Sequence, residues 1–275
     1  MDQYCVMGNP VEHSRSPWIH ARFAELTSHS LQYGKKLVPL DGFDAAVAAF
    51  RAEGGLGCNV TVPFKFDAAR ISTTQTPRAQ LAGACNTLHL RPDGIFADNT
   101  DGAGLVNDIQ SNAGFALAGR DVLLIGAGGA SAGVIGPMIE AKVRSITVAN
   151  RTLTKADDLV TRHTALAQQH GTLLHASELH DVQSPFDVVV NATASSLSGA
   201  GVPVSPAVLK PGALALDMMY GPAAAGFMDW ARAHQAVPRD GLGMLVEQAA
   251  EAFLIWRGVR PPSAQVLAEL RATLA

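Results

Sequence analysis

The chain has 275 residues, of which 48% are hydrophobic and only 16% charged, and its formal net charge is -3. This excludes a disordered chain, which needs low hydrophobicity and high net charge, and it leaves no basic footprint for nucleic acid. At about 150 residues per domain, the length allows one large domain or two smaller ones with ample core. Three cysteines without C-x-x-C spacing indicate neither a disulfide framework nor a zinc ribbon and fit a reducing compartment. Residues 122–139 are uncharged and long enough to span a bilayer, but Gly126, Gly128, Gly129, Gly133, Gly136 and Pro137 weaken a helix too much for an ordinary span. The start, Met1-Asp2-Gln3-Tyr4, lacks the basic opening and apolar run of a signal peptide. The expectation is a soluble cytoplasmic protein with no membrane or nucleic-acid partner.

No repeat of roughly 20 to 50 residues is visible. Residues 4–7 predict a short strand, and Ser16-Pro17 opens a helix through about Thr27. Residues 37–40 predict the end of a second strand, and 43–51 carry apolar residues at helical spacing. A third strand over 56–62 is broken by Pro63, and strands at 86–90 and 95–98 flank the turn signal Arg91-Pro92-Asp93-Gly94. A second unit begins near Asp101. Its first strand, 121–125, is an apolar run of the buried parallel type, followed by Gly126-Ala127-Gly128-Gly129 and a helix. Strands at 145–149, 187–190 and 213–216 alternate with helices at 154–168 and 223–234, and two more helices follow at 242–256 and 263–274. Such alternation requires crossover connections and a parallel sheet with helices on both faces.

A strand feeding Gly126-x-Gly128 and then a helix lets backbone approach a pyrophosphate at the positive helix end, as in a Rossmann-type doubly wound sheet. The third glycine of that fingerprint is replaced by Ser131. Where an NAD-binding unit places an acid about 20 positions on, this chain has Asn150-Arg151-Thr152, and an Arg fork suits the 2′-phosphate of NADP. Gly129-Ala130-Ser131-Ala132-Gly133 also spells the G-x-S-x-G nucleophile elbow, a hydrolase reading that leaves Gly126, Gly128 and Arg151 unexplained. No H-x-x-x-H or H-E-x-x-H pair occurs among the nine histidines, and no metal is expected. Phe253 and Trp256 share a helical face with Ala249 and are expected in the core.

Polar residues in apolar surroundings carry a second signal. Asn59-Val60-Thr61-Val62-Pro63-Phe64-Lys65 alternates at strand period, and Asn99-Thr100-Asp101-Gly102 offers a carboxylate at a helix start. Taken singly, Asp101 also reads as a cap, Lys65 as a solvated loop lysine and Asn86 as a turn residue.

The run Gly8-Asn9-Pro10-Val11-Glu12-His13-Ser14-Arg15-Ser16-Pro17 resembles the opening motif of the shikimate dehydrogenase family. Residues 59–65, Ala84-Cys85-Asn86-Thr87, Asp98-Asn99-Thr100-Asp101-Gly102, the 126–130 glycine turn, Asn150-Arg151-Thr152, Asn191-Ala192-Thr193, Asp217-Met218-Met219-Tyr220 and Asp240-Gly241-Leu242-Gly243-Met244 resemble it in order. The resemblance implies a smaller α/β substrate domain, residues 1–101 completed by C-terminal helices 241–275, and an NADP-binding Rossmann domain at 102–240. It implies reversible NADPH-dependent reduction of 3-dehydroshikimate to shikimate in aromatic amino-acid biosynthesis, by a monomer or homodimer. By position, Lys65 and Asp101 would be the catalytic pair. Ser14 and Ser16 would hold the substrate carboxylate with Tyr220 nearby, and Asn59, Thr61, Lys65, Asn86, Asp101 and Gln248 would meet the ring hydroxyls. Gly126, Ala127, Gly128, Gly129, Ala130 and Ser131 would hold the cofactor pyrophosphate. Asn150, Arg151, Thr152 and Lys155 would meet the adenosine phosphate, and Thr193, Met218 and Gly241 would line the nicotinamide side. Arg15, Cys85 and Lys155 depart from the commonest residues of the family, and none removes a catalytic group. Two alternatives stand beside this reading: a broader quinate/shikimate dehydrogenase using NAD, and an NADP-binding regulator without turnover.

Overall fold

Two six-stranded sheets organise the chain, one in each of two compact units, Met1–Gly104 with Leu245–Ala275, and Leu105–Met244. The structure is a computed structural model describing residues 1–193 and 201–274. The first unit contains β1 (Asp2–Gly8), α1 (Ser16–Leu26), β2 (Leu31–Leu37), α2 (Phe43–Ala52), β3 (Gly55–Val60), α3 (Lys65–Ile71), β4 (Thr74–Gln75), α4 (Pro77–Ala82), β5 (Thr87–Arg91) and β6 (Gly94–Asp98). α5 (Asp101–Asn107), continued by a π-turn at Asp108–Asn112, leads into β7 (Asp121–Ile125), α6 (Gly129–Glu140), β8 (Ser145–Asn150), α7 (Leu153–His170), β9 (Leu173–Glu178) and β10 (Phe186–Asn191). β11 (Leu209–Asp217), a 3₁₀ turn at Gly221–Ala224, α8 (Ala225–Ala233) and β12 (Val237–Arg239) follow, and α9 (Leu242–Arg257) and α10 (Ser263–Leu274) end the chain. Among the described residues no helix is long and apolar enough to cross a membrane.

In the first unit the sheet order is β2-β1-β3-β5-β6-β4. β1 pairs in parallel with β2 and β3, whereas β5 is antiparallel to β3 and β6. Side chains of a strand alternate between faces, and β1 follows this. Tyr4 and Val6 pack with Tyr33, Val11, Ala252 and Trp256. Cys5 and Met7 pack on the other face with Val38, Phe43, Val47, Phe50 and Phe64. Both faces are therefore covered, which is why β1 is apolar along most of its length. As expected, Phe253 and Trp256 lie in the core, and the indole N–H of Trp256 donates to the Leu88 carbonyl at 3.0 Å.

The second unit holds an all-parallel sheet in the order β12-β11-β10-β7-β8-β9. Counted by their sequence within the unit, these strands run 3-2-1-4-5-6 from the β9 edge, the order of a dinucleotide-binding sheet. The chain reverses direction across the sheet between β7 and β10, so their carboxyl ends open at the switch point where such folds bind ligands. Leu123, Ile125, Ala149, Val189, Ala215 and Phe227 form one core of this unit. The fold is thus α/β with a Rossmann-type doubly wound parallel sheet and a second α/β sheet.

Several boundaries differ from expectation. β2 ends at Leu37 rather than near residue 40, because Pro39 has no N–H to continue the ladder and Leu40 is 73% exposed. β3 stops at Val60, where the chain turns and the Phe64 amide donates to the Thr61 carbonyl at 3.0 Å. The helix expected from residue 223 begins as the 3₁₀ turn and becomes α-helical at Ala225. Neither β9 nor β12 was foreseen from the sequence pattern.

Candidate active site

The polar cluster of the first unit is built where three chain segments end side by side. β3 delivers Asn59 opposite Thr87 of β5, Asn86 directly precedes β5, and the segment after β6 carries Asn99, Thr100 and Asp101 into α5. Lys65 is the first residue of α3. Its Nζ donates to Asp101 Oδ2 at 2.5 Å, with the two side chains 15% and 7% exposed. The Asn86 carboxamide fixes the other carboxylate oxygen, since Nδ2 donates to Asp101 Oδ1 at 2.7 Å. Asn86 Nδ2 also approaches Thr100 Oγ1 at 3.0 Å and Gln248 Oε1 at 3.2 Å. Asn86 Oδ1 accepts from the Thr100 amide at 2.8 Å and the Thr87 hydroxyl at 2.9 Å. Every residue of this network except Lys65 is buried. In such surroundings a satisfied polar network is rigid, and an unpaired member is costly.

The turn bearing Asp101 is clamped from behind. Arg78 donates Nε and Nη2 to the buried Asp98 carboxylate at 2.8 and 2.6 Å, and the Thr76 hydroxyl and Asn99 amide add contacts of 2.5 and 2.7 Å. The Asp98 carbonyl accepts the Asn86 amide at 3.1 Å. Elsewhere in this unit, Ser14 Oγ accepts the Ser16 amide at 3.3 Å at the start of α1, with Ser16 buried and Ser14 half-buried. Thr61 is half-buried just beyond β3. Tyr220 belongs to the second unit, where it precedes the 3₁₀ turn. Burial pushes the Cys85 thiol up to about 12 and helps raise Cys58 well above the usual thiol range, behind a sulfur contact with Cys5. These thiols beside Asn86 and Asn59 are therefore neutral.

In the second unit, β7 runs into Gly126, whose φ of +106° suits glycine and whose amide donates to the Ala149 carbonyl at 2.8 Å. Gly128 caps α6, is exposed, and has open space where a Cβ would stand. The first-turn amides of a helix have no helical acceptor, so this turn offers the donors and backbone access that a pyrophosphate needs. Ser131 is fully buried and donates its hydroxyl to the Gly126 carbonyl at 2.8 Å. It ties the turn together, which overturns the nucleophile elbow: an attacking Oγ has to be exposed. After β8, Asn150 Nδ2 donates to the Thr152 carbonyl at 2.9 Å, while Arg151, Thr152 and Lys155 are exposed. An exposed guanidinium on a braced turn fits a 2′-phosphate.

The remaining expected cofactor residues lie at the ends of β10, β11 and β12. Thr193 donates its hydroxyl to Asn191 Oδ1 at 2.8 Å, and Asn191 Nδ2 donates to Asp217 Oδ2 at 3.0 Å. The Gly241 amide donates to the Met219 carbonyl at 2.8 Å, and a Cβ on Gly241 would lie 2.2 Å from the Met218 carbonyl oxygen. Only glycine permits that approach. Behind this wall, Arg239 grips the fully buried Asp108 with two hydrogen bonds of 2.6 and 2.5 Å.

The structure thus gathers Lys65, Asp101, Asn86, Gln248 and Asn59 in one unit and the glycine turn with Arg151 in the other. Thr87, Thr100 and Asp98 stand in the quoted motifs but were given no role of their own, and Tyr33 and Arg78 were not singled out from sequence.

Fold and side chains define the class: an α/β protein pairing a dinucleotide-binding sheet with a second unit that carries a lysine–carboxylate pair set in a buried polar network. Three family descriptions match along the chain: shikimate dehydrogenase substrate binding domain at residues 6–88, shikimate / quinate 5-dehydrogenase at 108–198, and shikimate 5'-dehydrogenase C-terminal domain at 241–271. A shikimate dehydrogenase (NADP(+)) of Paracidovorax citrulli is 66% identical over 99% of this chain and 98% of its own. One from Dechloromonas aromatica is 53% identical over 99% and 98%. Among solved structures, shikimate 5-dehydrogenase from Thermus thermophilus in complex with NADP(H) and shikimate superposes with a TM-score of 0.82, at 29% identity and full coverage of both chains. An Ael1 enzyme from Pseudomonas putida gives 0.88 at 41% identity, covering 98% of each. The chain belongs to the shikimate dehydrogenase family.

Proposed function

We propose that the chain catalyses the reversible NADPH-dependent reduction of 3-dehydroshikimate to shikimate, a step toward the aromatic amino acids. The observation that carries this reading is the 2.5 Å contact between Lys65 Nζ and Asp101, set among Asn86, Thr100 and Gln248. The unit of Met1–Gly104 and Leu245–Ala275 is the substrate domain, and Leu105–Met244 is the NADP-binding domain. Ser14 and Ser16 receive the substrate carboxylate, and Asn59, Thr61, Asn86 and Gln248 meet its ring hydroxyls with the catalytic pair. The turn from Gly126 to Ser131 holds the pyrophosphate, its amides making the contact while the Ser131 hydroxyl shapes the turn. Asn150, Arg151, Thr152 and Lys155 surround the adenosine phosphate, and Thr193, Met218 and Gly241 line the nicotinamide. The three free, buried thiols suit a reducing cytoplasm.

Bound NADPH supplies the hydride. As the ketone accepts it, negative charge grows on the carbonyl oxygen and requires a proton donor within hydrogen-bond reach. Lys65 Nζ is that donor. Asp101 Oδ2 holds the ammonium in place, and because Asn86 fixes Oδ1, the carboxylate cannot swing away. In the reverse direction Lys65 takes the proton from the substrate hydroxyl. Buried acceptors and donors matched to ring hydroxyls also discriminate strongly, since an analogue lacking one leaves protein polar atoms unpaired. Replacement Lys65→Ala is expected to lower kcat by about 10²–10⁴-fold, typical of a general acid-base group, with a much smaller change in KM. Steady-state kinetics with shikimate and NADP checks it, and near-normal kcat in the variant would remove Lys65 from the mechanism.

A further inference from the structure

Asn59 is buried at 5% exposure, and its hydrogen-bonding capacity is largely consumed by the protein. Nδ2 donates to the Asn86 carbonyl at 3.2 Å and to Thr87 Oγ1 at 3.1 Å, which accounts for both amide hydrogens. Oδ1 accepts the phenolic hydroxyl of Tyr33 at 2.7 Å. Tyr33 lies on β2, two strands away from β3 across β1, and only its long ring carries a hydroxyl that far. The ring is held face to face against His20, with centroids 4.3 Å apart and planes 4° from parallel, and it sits beside Trp256. Burial keeps the phenol protonated by raising it well above the usual tyrosine range, so its hydrogen stays available to Asn59.

We propose that Tyr33 is a positioning residue of the substrate site: its hydroxyl fixes the Asn59 carboxamide, so that Asn59 acts toward a substrate hydroxyl as an acceptor alone. This inference rests on the functional reading above and sharpens it. With both amide hydrogens occupied, Asn59 has only Oδ1 to offer, and a substrate atom meeting it has to bring its own hydrogen. A hydroxyl satisfies that requirement and a carbonyl does not. Without the phenol, the carboxamide loses the contact that holds its oxygen in place, and the buried acceptor is left partly unsatisfied.

The test is Tyr33→Phe, which removes one oxygen atom and keeps the ring packed between His20 and Trp256. We expect KM for shikimate to rise about tenfold, the size of one hydrogen bond's contribution. KM for NADP should stay within twofold, and kcat should fall less than KM rises. A double-mutant cycle separates positioning from packing. In an Asn59→Ala background the same Tyr33→Phe change should alter kcat/KM by less than twofold, because the group it acts through is gone. Unchanged KM for shikimate in Tyr33→Phe, or an equal fold-change in both backgrounds, would overturn the inference while leaving the enzyme's activity standing. A wild-type protein unable to oxidise shikimate would overturn the functional reading, and this inference with it.

Discussion

Arg151 stands exposed one residue beyond β8, where a dinucleotide fold usually presents an acid to the ribose. On the proposed reading its fork would pair with the 2′-phosphate oxygens, a charge-assisted contact worth about 1.5–3 kcal/mol per hydrogen bond in general and nearer the lower end at an exposed site. Arg151→Asp removes that attraction, repels the 2′-phosphate and gives the NAD ribose an acceptor. The ratio of kcat/KM for NADP over NAD is expected to fall by roughly tenfold or more, with Lys155 retaining part of the preference. Both ratios have to be measured at one ionic strength, since the contact is screened by salt; an unchanged ratio would mean that Arg151 does not read the phosphate. At this scale Lys65, Asp101 and Asn86 stand in distinctive local motifs of the sequence, but taken singly they read as a loop lysine, a cap and a turn residue, and only the family resemblance drew them together and added Gln248. Tyr33, Thr87 and Thr100 were given no role there. They reach the site through hydrogen bonds that only strand pairing creates, as with Tyr33 and Asn59, which are separated by 26 positions.

Helix α4 is short, yet it bears on the site through one side chain. Thr76 caps it, Pro77 opens it, and Arg78 in its first turn clamps Asp98 at the end of β6. Asp98 is 3% exposed in its side chain and Arg78 27%, so removing the cation leaves a buried charge held only by the Thr76 hydroxyl and the Asn99 amide. Arg78→Ala is expected to destabilise the protein by about 3–5 kcal/mol, the usual cost of leaving one partner of a buried pair, and Arg78→Lys by less. Urea unfolding of both variants checks this; a loss of under about 1 kcal/mol in Arg78→Ala would show that the pair behaves as a surface bridge. Elements differ in how well the sequence reveals them. β7 is an interior strand covered on both sides, and its apolar run marks residues 121–125 without ambiguity. β9 and β12 lie at the two edges of that sheet, with Leu173 58% and Val237 53% exposed. An edge strand needs no continuous apolar run, and these two left no pattern to read. The same holds for the two-residue β4 at the edge of the first sheet.

Across the molecule, the packing that secures the unit of Met1–Gly104 and Leu245–Ala275 also sets its acid tolerance. His20 is fully buried against Tyr33, Phe23, Phe253 and Trp256, neither ring nitrogen has a hydrogen-bond partner, and burial pushes its pKa down to about 3. The unfolded chain takes up a proton near the ordinary pKa of about 6.5, while the folded protein does not. The stability due to neutral His20 is therefore complete above about pH 6.5 and is lost progressively as pH falls toward about 3. At about pH 5 the loss from this group is about 2 kcal/mol. Urea unfolding at about pH 7.5 and about pH 5 should show that decline in the wild type and a smaller one in His20→Leu; equal declines would mean that His20 is protonated in the folded state.

The two units join in one claim, that this chain is an NADP-dependent shikimate dehydrogenase. The most direct test is the rate of nicotinamide absorbance change for the purified protein with shikimate or quinate, each paired with NADP or NAD. Shikimate with NADP should give the highest kcat/KM of the four combinations, by at least about tenfold, if the buried polar network satisfies ring hydroxyls and the exposed Arg151 pairs with the 2′-phosphate as proposed. A higher value for quinate with NAD, or no turnover in any combination, would contradict the account.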